Sequence, residues 1–200
     1  ISNMNYLAHA FLSPNDPHIL TGNVVTDMLK GPVRNEIDIR FLDGIALHRF
    51  IDKYTDEHPV NGTFKHLLYR RFKKYSPVVS DVFMDYLLVR NWSKYKEVDI
   101  QLFIQNIYDQ MSSVIKELPE EINLRLNNMI QHDWLNAYMT IDSVNMVFDR
   151  MQHKVTDTEI MKRGADWLHE NFEEVNELFL QFFPDLIQIV HQYQYTKEKK

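Results

Sequence analysis

Apolar residues recur at helical spacing along most of the chain, and no stretch shows the period-two alternation of a half-buried strand. The strongest helical pattern is Gly44–Asp56, GIALHRFIDKYTD, where Ile45, Leu47, Phe50, Ile51 and Tyr54 supply the apolar positions. Before it, Met4–Leu12 is a short apolar stretch, and Ser13-Pro14-Asn15-Asp16-Pro17 marks a turn. Thr21 is expected to cap a helix over Gly22–Leu29 that Lys30-Gly31-Pro32 ends. The central helix is predicted from Ile37 to Tyr54, stopping at His58-Pro59, and the next from Asn61 or Thr63 through Tyr75. Ser76-Pro77 opens another, with proline in its first turn. The second half predicts helices over Asp99–Leu118, ended by Pro119, over Glu121–Tyr138, and over Ile141–His153, capped near Asp142. A long amphipathic helix follows over Asp157–Phe183, with a break near Gly164, and beyond Pro184 a last helix runs to Tyr195. The fold class is therefore all-α, a compact bundle of about eight to ten helices.

Composition narrows the picture. Two hundred residues suit one domain, expected over residues 4–195, with Ile1-Ser2-Asn3 read as a remnant ahead of a native start at Met4 and Thr196–Lys200 as a frayed tail. Hydrophobic residues make up 44% and aromatics 12%, enough for a sizeable core, while five glycines and seven prolines favour long regular elements. The absence of cysteine removes disulfides, thiolate zinc sites and a cysteine nucleophile together, and fits a cytoplasmic location. No apolar run approaches the roughly 20 residues that span a bilayer, so no membrane role is expected. The N-terminus lacks the basic and apolar regions of a signal peptide. A net charge of −6 argues against a general nucleic-acid binder. An acidic partner would need a local basic patch, and Arg70, Arg71, Lys73 and Lys74 provide one.

Polar residues in apolar surroundings are the candidates for chemistry. His48, Asp52 and Asp56 fall at i, i+4 and i+8, so an imidazole and two carboxylates run down one side of a helix, with Arg49 a quarter-turn away. Buried charges of this kind need a metal ion, a substrate phosphate or a salt-bridge network as partner. His9, Asp27, Asp81 and Asp85 stand in other apolar helices of the same half, and a helical bundle can converge such residues on one centre. Histidine with several carboxylates suits Mn²⁺, Mg²⁺ or Fe²⁺, which activate water and neutralise phosphate oxygens. Plainer roles are open for each: a hydrogen-bonded core histidine at His9, a cap or pair at Asp27, a helix-start charge at Asp81, a salt bridge from Asp85 to Arg90 or Arg49. His132-Asp133 is the dipeptide of HD hydrolases, but no second His or Asp cluster lies near it, and it reads as a surface pair. His18, His58 and His66 read as solvated. No Gly-rich phosphate loop, nucleophile elbow or zincin motif is present, which leaves covalent serine or cysteine hydrolysis unsupported.

Four segments together resemble a known family. Met4-Asn5-Tyr6-Leu7-Ala8-His9 is similar to the N-terminal MNFLAH-type signature of acyl carrier protein phosphodiesterases. Gly22-Asn23-Val24-Val25-Thr26-Asp27, with Gly31 after it, resembles that family's GN-x-x-x-D segment. Gly44, His48-Arg49, Ile51-Asp52 and Thr55-Asp56 match its H-R-x-I-D-x-x-T-D block, and Asp81-Val82-Phe83-Met84-Asp85-Tyr86-Leu87-Leu88, running to Asn91-Trp92, its D-x-x-x-D-x-x-L segment. Weaker similarity continues through Leu126-Asn127-Asn128 and Trp134 to Phe179–Pro184.

The resemblance implies an atypical, HD-like helical phosphohydrolase with a divalent metal, manganese foremost. Its reaction would release 4′-phosphopantetheine from the serine of holo acyl carrier protein. The positions that match its motifs are His9, Asp27, His48, Asp52, Asp56, Asp81 and Asp85. As a mechanism, His48, Asp52, Asp81 and Asp85 are expected to hold the metal, and His9, Asp27, Arg49 and Asp56 to act in catalysis. Independently of the resemblance, the basic run Arg70, Arg71, Lys73 and Lys74 is expected to meet the acidic carrier protein. Two other readings stay open: an HD-type hydrolase of a small phosphoester or nucleotide, and a non-catalytic helical binding module.

Overall fold

The computed structural model describes residues 6–152 and 158–198, and every regular element among them is an α-helix or a 3₁₀ turn. In chain order these are α1 (Tyr6–Phe11), α2 (Pro17–Val25), α3 (Leu42–Glu57), α4 (Pro59–Phe72), α5 (Ser76–Arg90), α6 (Ile100–Val114), α7 (Glu120–Gln131), α8 (Ile141–Gln152), α9 (Thr158–Met161), α10 (Gly164–Glu170) and α11 (Phe172–Glu198). The all-α class is as the periodicity predicts. Residues 1–3, expected as a remnant, Met4, expected as the native start, the expected helix bounds His153 and Asp157, and the tail end at Lys199 and Lys200 lie outside the described residues.

Several boundaries differ from the expectation, each for a local reason. The first long helix starts at Pro17, not at Gly22, because the Asp16 carboxylate accepts from the backbone N–H groups of His18 and Ile19 at 2.9 Å each. Thr21, expected as the cap, is instead buried inside α2. The α8 start is capped by Thr140, which exchanges backbone-to-side-chain bonds with Ser143 at 3.0 and 3.1 Å, rather than by Asp142. The break expected near Gly164 is found, at Arg163, which takes a left-handed conformation (φ 58°), but the predicted helix over Asp157–Phe183 is interrupted a second time, at Asn171. Pro184 does not end the last helix. It lies inside α11, which continues through Thr196, the residue expected to begin a frayed tail, to Glu198.

The described residues group into two compact units, one of those up to Phe50 with Asn91–Asn136, the other of Ile51–Arg90 with those from Ala137 on. In the first unit α2 packs on α1 and α6. An aromatic cluster closes one side: Trp92 meets Phe11 edge-on at 5.6 Å and Phe103 at 5.0 Å, and its indole N–H donates to the Val98 carbonyl at 2.8 Å. Tyr108 is anchored in the same unit. Its hydroxyl donates to Asp133 at 3.0 Å and accepts from the Leu135 amide at 2.9 Å, and burial pushes its pKa up.

In the second unit α4 packs on α5 and α11. Phe72, Phe83, Phe148 and Trp167 share one cluster, with Phe83 stacked on Trp167 at 5.9 Å and Phe72 on Phe148 at 6.5 Å. Gly164 begins α10 against the face of Phe148, where a Cβ would stand 3.0 Å from three ring carbons. Each fully buried aromatic in such a cluster removes about 1.5–3 kcal/mol worth of apolar surface from water.

Candidate active site

The site begins with two glycines. Gly22 in α2 and Gly44 in the first turn of α3 let two backbones touch. A Cβ on Gly44 would lie 2.1 Å from the Ile19 carbonyl oxygen and 2.7 Å from the Asn23 nitrogen, and a Cβ on Gly22 would lie 2.4 Å from the Phe41 carbonyl oxygen. One helical turn beyond Gly44, His48 Nδ1 meets the backbone carbonyl of Asn23 at 2.8 Å. The close crossing is what brings that carbonyl within reach.

Asn23 also holds the second histidine. His9, in α1, places Nδ1 2.8 Å from Asn23 Oδ1, while Asn23 Nδ2 donates to the His9 carbonyl at 3.0 Å and to Ser13 Oγ at 2.9 Å. The two imidazoles lie face to face, centroids 4.0 Å apart and planes 11° from parallel, and both are buried. Asp27 lies in the 3₁₀ turn that follows α2, where Thr26 Oγ1 donates to the Gly22 carbonyl at 2.7 Å. Its Oδ1 is 3.4 Å from His48 Nε2.

Asp52 follows His48 by one turn of α3. His9, His48 and Asp52 each offer a ligand atom, and those atoms all lie within 4.8 Å of one another. This set differs from the expected one in its first histidine: His9, anticipated as a catalytic residue, stands among the candidate ligands. Asp81 and Asp85 occupy successive turns of α5, Asp81 half-buried and Asp85 fully buried within the continuous buried run Val82–Leu88. They are not part of the three-residue group.

The rest of the expected stripe turns away. Eight residues rotate a helix through about 800°, so Asp56 points about 80° from His48. It is exposed and pairs with Lys65 of α4. Arg49 is exposed on α3. The basic run is also divided. Arg70, Lys73 and Lys74 are exposed, but Arg71 is half-buried and spends two N–H groups on the carbonyls of Ile160 and Lys162, at 3.2 and 3.0 Å. Lys73 ends α4 with φ 51° and ψ −130°, a conformation that L-residues rarely hold, and its ammonium lies 6.0 Å from the ring centroid of Tyr69.

His132-Asp133 is the surface pair the sequence suggests. His132 is exposed, and Asp133 is occupied by Tyr108 and by Asn136 Nδ2 at 2.7 Å, at a turn where its own φ is 50°. His58 departs from expectation. Its side chain is 9% exposed, packed between the rings of Tyr54 and Phe182, with Nε2 3.4 Å from Asp185. Asn23 is the residue that sequence reading passed over. Its signals were a neutral polar side chain set in the apolar run Gly22–Val25 and its place in the GN-x-x-x-D segment, neither of which gave it a role.

Two imidazoles and a carboxylate make a mixed nitrogen and oxygen donor set, which fits a divalent first-row ion rather than a hard all-oxygen site. The profile of the family described as acyl carrier protein phosphodiesterase matches residues 4–186. The chain is 26% identical over 188 residues to a protein named acyl carrier protein phosphodiesterase from Pectobacterium atrosepticum, covering 93% of this chain and 97% of that one. It is 25% identical to proteins of the same name from Photorhabdus laumondii, covering 92% and 94%, and from an Enterobacter species, covering 92% and 96%. No solved structure matches.

Proposed function

The chain belongs to the acyl carrier protein phosphodiesterase family and is a phosphodiester hydrolase, and from that premise we propose that it releases 4′-phosphopantetheine from holo acyl carrier protein in a metal-dependent reaction. Water adds to phosphorus, the phosphorus–oxygen bond to the carrier serine breaks, and the seryl oxygen takes a proton. The products are the apo carrier protein and 4′-phosphopantetheine. The observation that carries the reading is the stacked, buried pair His9 and His48 with Asp52 beside it.

His9, His48 and Asp52 would hold the ion, with Asp81 and Asp85 as the further carboxylates and manganese ahead of magnesium or iron. Bound there, a divalent ion lowers the pKa of a coordinated water and polarises phosphoryl oxygens. Asp27, 3.4 Å from His48 Nε2, orients the water or delivers the proton to the seryl oxygen. Arg49 offers an exposed guanidinium whose fork matches phosphate oxygens. Asp56, paired with Lys65, is given no part in the chemistry.

Acyl carrier proteins are strongly acidic, and this chain is itself net acidic, so docking needs a local basic face. Arg70, Lys73 and Lys74, with the half-exposed ring of Tyr69, form that face at the end of α4. No helix among the described residues is long and apolar enough to cross a membrane.

The test is mass spectrometry of holo acyl carrier protein incubated with the protein and Mn²⁺, with and without chelator. Loss of the phosphopantetheine mass, blocked by chelator, is expected. An unchanged carrier mass with metal bound would replace this reading with hydrolysis of a small phosphoester, and an unchanged mass with no metal bound would replace it with a binding module.

A further inference from the structure

We infer that Asn23 is a positioning residue that sets the tautomer of both site histidines, one through its side chain and one through its backbone. The inference rests on the metal-centre reading above but adds a residue to it. The backbone carbonyl of Asn23 can only accept, so the 2.8 Å contact from His48 Nδ1 requires a proton on that nitrogen. The side chain is just as determined. Its Nδ2 lies 3.0 Å from the His9 carbonyl, another pure acceptor, so the amide nitrogen must face that way and Oδ1 must face the ring. A flipped amide would set two carbonyl oxygens against each other. His9 Nδ1, 2.8 Å from Oδ1, therefore also carries a proton. In the neutral form of each ring the lone pair falls on Nε2.

A metal ligand needs that lone pair, and metal-binding histidines donate their second N–H to a fixed acceptor that sets ring orientation and basicity. Asn23 supplies that acceptor twice. It is itself held, because it is fully buried and both amide protons are used, on the His9 carbonyl and on Ser13 Oγ. Ser13 Oγ in turn donates to the His9 carbonyl at 2.9 Å. The two bonds also explain the stacking: each ring is pinned at Nδ1 by the same residue, which holds the planes 11° from parallel.

The test uses the metal-free full chain with ¹⁵N-labelled histidine. Long-range ¹H–¹⁵N spectra distinguish the two neutral tautomers. Both His9 and His48 are expected to carry the proton on Nδ1, and an Nε2–H form or averaging between forms at either residue overturns the inference. Asn23→Leu removes the side-chain acceptor at similar volume, whereas Asn23→Asp keeps an acceptor. Asn23→Leu should release the His9 tautomer, leave that of His48 in place on the backbone carbonyl, and weaken Mn²⁺ binding about 10- to 100-fold. Asn23→Asp should restore the His9 signature when its carboxyl is protonated, since the O–H then donates to the His9 carbonyl as the amide does and the other oxygen accepts from His9 Nδ1. Loss of both tautomers, or of neither, in Asn23→Leu contradicts the division of labour, and the wild-type spectrum decides the matter if that variant fails to fold. If the tautomers are as stated and no metal binds, the metal reading falls and this one stands.

Discussion

Gly22 and Gly44 meet backbone to backbone, with Cα of each about 3 Å from where a Cβ on the other would sit: 3.2 Å in one direction and 2.9 Å in the other. Gly44→Ala would force a methyl to within 2.1 Å of the Ile19 carbonyl oxygen, which no side-chain rotation can relieve. The variant is expected to lose at least about 3 kcal/mol in urea melts, the upper range for overpacking, and to pull His48 away from the Asn23 carbonyl. Gly62→Ala is the control. Nothing lies within 4 Å of its Cβ position in α4, and it should gain roughly 0.4–1 kcal/mol.

His48→Ala should abolish turnover and lower Mn²⁺ affinity by at least about 100-fold, with helical content by circular dichroism unchanged. His9→Ala should match it in metal binding, because both rings stand in the same ligand group. Retained metal affinity in His9→Ala would return His9 to a role outside the coordination sphere.

Asp52 and Asp56 look alike in the sequence and should separate sharply in experiment. Asp52→Asn is expected to cost at least about 100-fold in metal affinity. Asp56→Asn, which touches only the exposed pair with Lys65, should leave metal affinity and kcat within about twofold of wild type.

Charge reversal at the end of α4 should divide in the same way. Arg70→Glu and Lys73→Glu are expected to raise KM for the carrier protein several-fold at low salt, with kcat little changed and the difference fading as salt is added. Arg71→Glu should instead lower the melting temperature, because its guanidinium ties α4 to the carbonyls of Ile160 and Lys162. Steady-state kinetics at two ionic strengths, beside thermal melts, separate the two effects.

A pH experiment tests the turn before α3. Hydrogen bonds from the Arg40 side chain and backbone hold the Asp38 carboxyl at about 2, below its ordinary 3.8. The folded value is the lower one, so the contribution of this pair is present above the ordinary value and is lost as pH falls toward 2. Arg40→Ala should return the Asp38 titration, followed by carboxyl NMR, toward the ordinary range.

The helical class was legible because periodicity reports burial, but not every helix was: the one expected over Glu121–Tyr138 ends at Gln131, and the two expected on either side of Pro184 are one. Helix ends were less legible, because caps are decided by single side-chain bonds. Asp16 directly before Pro17 carried a better start signal than Thr21, which lies buried in the next turn. The residues that the structure brings together, His9, Asp27, His48 and Asp52, are ones where a charged or imidazole group interrupts an apolar run. Asp56, at i+8, lies apart from that group because 3.6 residues per turn do not repeat over two full turns of four. Asn23 carries no charge and so was given no role, although it was part of the matched segment and contacts both rings. His58 was read as solvated from its place beside a proline, but Tyr54 and Phe182 enclose it.

Pro184 has a further consequence for how the last helix comes apart. It brings no N–H, so the helical ladder of α11 lacks a rung at the Leu180 carbonyl. On its N-terminal side Phe179, Phe182 and Phe183 are all buried, whereas beyond Val190 no described residue is. Amide hydrogen exchange should therefore run fast from the C-terminus back to Val190 and slow steeply before the missing rung, which divides one continuous helix of 27 residues into a segment that breathes and a segment that opens only with the core.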